Sequence, residues 1–116
     1  MLAVILEDAL TEAGFEVLTA PNGIEACALL DADASRFKGV LTDIRLGTGP
    51  DGWAVGHRTR ELVPHMPVVY MSGDSGHEWA SNGVPNSVML DKPFAMAQAV
   101  TAITQLLEHS TPGVVR

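Results

Sequence analysis

Three short apolar runs each end in a polar side chain, and the three side chains together suit one reaction. Gly39-Val-Leu-Thr-Asp43 ends in a carboxylate, Pro67-Val-Val-Tyr-Met-Ser72 in a hydroxyl, and Ser87-Val-Met-Leu-Asp-Lys92-Pro93 in an ammonium. If these runs are neighbouring parallel strands, their ends line one crevice at the carboxyl edge of the sheet, where open α/β folds bind ligands. A carboxylate flanked by a hydroxyl and a lysine suits acceptance of a phosphoryl group. Such a transfer depends on positioning and on charge stabilisation around three oxygens. Taken singly, each residue has a plainer role. Asp43 could cap a loop, Ser72 before Gly73 could be turn chemistry, and Lys92 could be solvated like most lysines. The reading rests on the three occurring together.

The elements that must position them follow from periodicity and punctuation. Leu2 to Ala13 repeats apolar residues at helical spacing, and Gly14 supplies a C-terminal cap. Phe15 to Ala20 reads as a short strand, broken by Pro21-Asn22-Gly23, with Asn22 capping a helix over Ile24 to Asp33. Gly39 to Ile44 has the length and flanks of a fully buried strand. After the turn-rich Gly47 to Gly52, a helix over Trp53 to Val63 turns Trp53, Gly56, Thr59 and Val63 inward and stops before Pro64. Pro67 to Ser72 is a strand, Gly76 to Asn82 a short weak helix, and Ser87 to Leu90 another strand. Met96, Val100, Ile103 and Leu107 form the stripe of a last amphipathic helix. Strands alternating with helices imply a doubly wound parallel sheet with helices on both faces. One domain over residues 1–109 and a short tail over 110–116 are expected, with one strand missing from the front.

Composition narrows the function. The 116 residues are 47% hydrophobic and 18% charged, as in a packed globular domain. A formal charge of -7 repels nucleic acid phosphates, so no direct nucleic acid partner is expected. The single Cys27 excludes an internal disulfide and reads as a small buried thiol. Met1 to Leu6 is too short to span a bilayer and lacks the basic start of a secretory signal, so no membrane partner and a cytoplasmic location are expected. His57, His65, His77 and His109 are scattered without zinc spacing, and Trp53 and Trp79 read as packing residues.

Four stretches together resemble the receiver domain of two-component response regulators, a flavodoxin-like fold. They are Leu6 to Val17, Val40-Leu-Thr-Asp-Ile-Arg-Leu46 with Asp51-Gly52, Pro67 to Gly73, and Leu90-Asp-Lys-Pro-Phe94. The resemblance implies that Asp43 accepts a phosphoryl group from a phosphohistidine on a sensor histidine kinase or histidine phosphotransfer protein. Lys92 would pair with one phosphoryl oxygen and Ser72 would hydrogen-bond another. It also implies a cis Lys92–Pro93 bond, and a switch in which Ser72 and the residue at Met89 move together. The family usually has Tyr or Phe at that last position. Methionine fills either pocket, which predicts softer coupling to the surface around the last strand.

A second departure is at the front. Family members begin with a strand ending in two acidic residues that hold Mg²⁺, whereas this sequence starts within the following helix. Glu7-Asp8 after Ala3-Val-Ile-Leu6 imitates that strand, but too few residues separate Asp8 from Gly14 for a parallel crossover. Both acids are therefore read as helix surface. Of the usual Mg²⁺ ligands only Asp43 and the Arg45 backbone carbonyl remain, too few to expect firm binding. Losing a central strand opens the core and unpairs backbone groups, at about 1–3 kcal/mol each. An upstream start of the natural protein is the favoured remedy. A second chain filling the gap (as a homodimer or by strand exchange) and a sheet closing directly on itself are the alternatives.

Two function classes compete. One is a phosphoacceptor without its own output module, acting on an unknown downstream protein. The other is a degenerate, phosphorylation-independent interaction module. An aspartyl-nucleophile phosphatase is disfavoured, because such sites place a second Asp where Arg45 stands.

Overall fold

The computed structural model describes residues 2–47, 49–74 and 76–110. Helix α1 (Leu2–Glu12) ends where the chain must reverse. Gly14 takes φ +98°, its N–H donates to the Thr11 carbonyl, and the Phe15 N–H donates to the Leu10 carbonyl. That is the paired closure in which glycine avoids the Cβ penalty. The Phe15 ring packs in the core cluster that contains Leu10. Helix α2 (Gly23–Asp33) starts on Asn22, whose side chain accepts from the Glu25 N–H at 2.9 Å. Asp51 does the same for α3 (Gly52–Leu62), accepting from Ala54. Both caps relieve donors that a helix start leaves unpaired.

Strands β1 (Val40–Asp43), β2 (Val68–Ser72) and β3 (Val88–Asp91) form a parallel sheet in the order β1-β2-β3. Between β2 and β3 the expected short helix is a 3₁₀ turn (Gly76–Glu78) followed by α4 (Trp79–Asn82). Helix α5 (Met96–Ser110) closes the described chain and takes in Ser110, so the expected tail begins one residue later, outside the described residues.

Every residue of β2 is buried, and its side chains alternate between two layers. Val69 and Met71 pack with Leu10 of α1 and with Ala99, Ala102 and Ile103 of α5. On the other face, Val68 and Tyr70 pack with Ile44, Trp53 and Val84. Leu30 of α2 and Val55 of α3 meet beside them. The sheet is thus covered on both sides, as the alternation of runs implied.

One expected element is absent from the sheet. Phe15 to Ala20 forms no strand in the structure: the segment has no ladder partner and lies across a groove from β1. Strand propensity is satisfied only by a neighbour at hydrogen-bonding distance, and none stands between these two segments. The direct closure of the sheet considered above does not occur either. A groove of about 610 Å³ remains in its place.

Candidate functional site

The register brings the three chain ends together. Asp43 is paired with Met71, so Ser72 lies one position beyond it on the adjacent strand. Ser72 is paired with Asp91, so Lys92 lies one position beyond that. The backbone holds the arrangement: the Lys92 N–H donates to the Ser72 carbonyl at 2.7 Å, and the Ile44 N–H donates to the Met71 carbonyl at 3.1 Å. Lys92–Pro93 is cis, as anticipated.

The Lys92 ammonium forms an ion pair with Asp43 Oδ1. That oxygen is closed to solvent and receives no hydrogen bond, so the lysine is its counter-charge. The two side chains as wholes are 35% and 38% exposed, which leaves the carboxylate reachable from outside. Gly52 lets α3 start directly over this strand end. A Cβ there would lie 2.1 Å from the Asp43 carbonyl oxygen. Ser72 is buried; its Oγ accepts from the Asp74 N–H at 3.1 Å and reaches Asp74 Oδ1 at 3.4 Å.

Sequence reading missed Asp74 and assigned Arg45 only through its carbonyl. In the structure the Arg45 guanidinium grips the Asp74 carboxylate, with Nε at 3.1 and 2.9 Å from its two oxygens and Nη2 at 2.8 Å. The hydrogen bond and charge of Asp74 hold Arg45 more firmly protonated than usual. This clasp joins the loop after β1 to the loop after β2 beside the reactive end. Both partners are exposed, so it orders the loops more than it stabilises the fold. The one local signal for it was a Ser-Gly-Asp turn.

Met89 pairs with Tyr70 and packs half-buried against the cluster containing Trp53 and Tyr70. The two rings lie 4.8 Å apart at 54°. Tyr70 Oη accepts from the Val84 N–H at 3.1 Å, and burial pushes its phenol up.

The donor set does not by itself fit Mg²⁺. Among the described residues no three His, Cys, Asp or Glu side chains cluster as metal ligands. Glu7 and Asp8 both lie on α1, Asp8 exposed. Asp43 and the Arg45 carbonyl leave most of an octahedron to water.

No family model matches the chain. It is 33% identical over 108 residues to the DNA-binding transcriptional regulator NtrC of Escherichia coli K12, covering 90% of this chain. The chain spans 22% of the length of that curated relative. Among solved structures, a response regulator receiver protein from Sinorhizobium medicae WSM419 superposes with a TM-score of 0.90 at 48% identity, covering 94% of this chain and 87% of the other. The receiver domain of sensor histidine kinase PA1611 from Pseudomonas aeruginosa PAO1, solved with magnesium in its active site cleft, gives a TM-score of 0.75 at 20% identity, over 91% and 88% of the two chains. This last likeness speaks for the fold alone. Near-complete coverage of both chains at almost half identity settles the family: the chain belongs to the response-regulator receivers of two-component systems.

Proposed function

We propose that residues 1–109 are the phosphoacceptor of a phosphorelay. One observation carries this reading: the Lys92 ammonium sits on the Asp43 carboxylate at the carboxyl edge, with Ser72 on the intervening strand. An Asp43 oxygen attacks the phosphorus of a phosphohistidine on a sensor kinase or histidine phosphotransfer protein. The new O–P bond forms as the N–P bond breaks, and the departing imidazole takes its proton from solvent. Lys92 shifts its charge from the carboxylate to a phosphoryl oxygen. Ser72 turns its hydroxyl from Asp74 to another, and Met89 adjusts beside it. The chain is a signalling substrate rather than a turnover enzyme.

Mg²⁺ is customary for the family, but with Asp43 and the Arg45 carbonyl as the protein ligands its binding here is weak. Direct nucleic acid partners are set aside by the charge of -7. Among the described residues no helix is long and apolar enough to cross a membrane, which supports a cytoplasmic reading.

The thin ligand set also favours a second reading, a receiver that docks on partners without phosphorylation. Acetyl phosphate with Mg²⁺, followed by intact-mass measurement, separates the two. The full chain should gain one phosphoryl group, and Asp43→Asn should gain none. No gain on the unaltered chain overturns the first reading and leaves the second.

A further inference from the structure

A serine hydroxyl has one proton to donate, and its direction decides whether Ser72 can meet a phosphoryl oxygen. The Ser72 oxygen accepts from the Asp74 N–H at 3.1 Å, and Asp74 Oδ1 stands 3.4 Å away as an acceptor for its proton. That proton does not go to the buried oxygen of the acceptor carboxylate, since Asp43 Oδ1 receives no hydrogen bond. Ser72 is buried, so water has little access to compete for it. The hydroxyl therefore faces its own loop rather than Asp43.

A carboxylate on an exposed loop would ordinarily sample several rotamers. Asp74 is denied them by Arg45, whose Nε lies 3.1 and 2.9 Å from its two oxygens and whose Nη2 lies 2.8 Å from Oδ2. A planar fork of this kind fixes both position and tilt, which a point charge does not. Further along, the loop leans on β3: a Cβ on Gly76 would stand 2.2 Å from Asp91 Oδ1. Because the Arg45–Asp74 pair is exposed, it adds little to global stability. Its consequence is local: it keeps an acceptor within reach of the Ser72 hydroxyl. Two states of Ser72 then compete for one proton, and only contacts made in one state and not the other shift their balance. Asp74 favours the resting state alone.

We propose that Asp74, steadied by Arg45, is a positioning residue that holds the Ser72 hydroxyl in a resting orientation and thereby restrains phosphoryl transfer to Asp43. This restraint rests on the phosphoacceptor reading and deepens it. The Ser72 proton only exchanges one acceptor oxygen for another. A donor released from Asp74 is free to stabilise charge developing on the phosphoryl group.

The test is the rate of phosphoryl uptake from acetyl phosphate with Mg²⁺, followed by intact mass on the full chain. Asp74→Ala should be faster than the unaltered chain by about threefold to tenfold, the range that one net hydrogen bond spans. Arg45→Lys keeps the cation, so attraction of the anionic donor is preserved, but it loses the fork; it should be faster by about twofold. In a Ser72→Ala background, Asp74→Ala should change the rate by less than about 1.5-fold, because no hydroxyl remains to be released. A merely structural loop contact would give slower uptake when removed. Equal or slower uptake by Asp74→Ala overturns the restraint. The same gain without the Ser72 hydroxyl overturns it too, since the cause would then be relief of charge repulsion. An unchanged rate in Arg45→Lys removes Arg45 from it. Absence of uptake by every one of these proteins would instead sink the phosphoacceptor reading, and the restraint with it.

Discussion

Replacing Gly56 with alanine should destabilise the domain by about 2 kcal/mol, through a clash that Tyr70→Phe partly relieves. A Cβ at Gly56 would stand 2.1 Å from Tyr70 Oη and 2.7 Å from Cζ. The ring cannot step aside, because Tyr70 is fully buried, stacked near Trp53 and tied to the Val84 N–H. Overpacking such a site costs about 1–3 kcal/mol, here near the upper end. The helix regains about 1 kcal/mol on losing a glycine. Tyr70→Phe alone leaves the Val84 donor without its acceptor, at about 1.5 kcal/mol. In the double variant the shortest contact is gone while Cζ still crowds, so the loss should be about 2.5 kcal/mol rather than the additive 3.5 or so. Unfolding entropy of about 2.1 cal/mol/K per residue converts 1 kcal/mol to about 4 °C in this 116-residue chain. Gly56→Ala should then lower the Tm by about 8 °C. Urea titration of the four proteins gives the cycle. A coupling below about 0.5 kcal/mol would refute the claim that Tyr70 is immobilised against α3.

Lys92→Ala should cut phosphoryl uptake by about a hundredfold or more, since it removes the charge set beside the acceptor, with uptake followed by mass from acetyl phosphate. Tyr70 is the single tyrosine, and burial holds its phenol above the usual range, so the unfolded chain ionises first. Its contribution to stability is complete below about pH 10 and is lost as pH rises through the folded value. Absorbance at 295 nm should accordingly show phenolate appearing together with alkaline unfolding, not before it. Met89→Tyr should enlarge the shift of β3 and α5 amide resonances on beryllofluoride binding; equal shifts in both proteins would count against soft coupling at Met89.

What was legible in the sequence was local. Asn22 and the apolar runs of β1, β2 and β3 each announce themselves within a few residues, because caps and buried strands need particular neighbours in sequence. Partners far apart in sequence left little trace. Arg45 and Asp74 meet across 29 positions, and Arg60 donates to the Met66, Pro85 and Asn86 carbonyls, bracing the loop before β3. Nothing in the stripe of Met96, Val100, Ile103 and Leu107 marked Ala99 and Ala102 as buried more deeply than most of it; small residues there let α5 sit close on the sheet. Phe15 to Ala20 failed for a related reason. Its residues favour an extended backbone, but membership of a sheet belongs to the pair and not to the segment.

The same missing neighbour bears on the chemistry. Asp43 ends a strand that, among the described residues, pairs with β2 alone, and its carbonyl accepts from the Thr42 hydroxyl at 2.8 Å. Phosphoryl transfer draws its rate from holding the acceptor oxygen in line, so a carboxylate on a half-supported edge loses alignment as that edge moves. The Lys92 ion pair and the Arg45–Asp74 clasp steady the site from the β2 and β3 side, yet neither reaches the groove edge of β1.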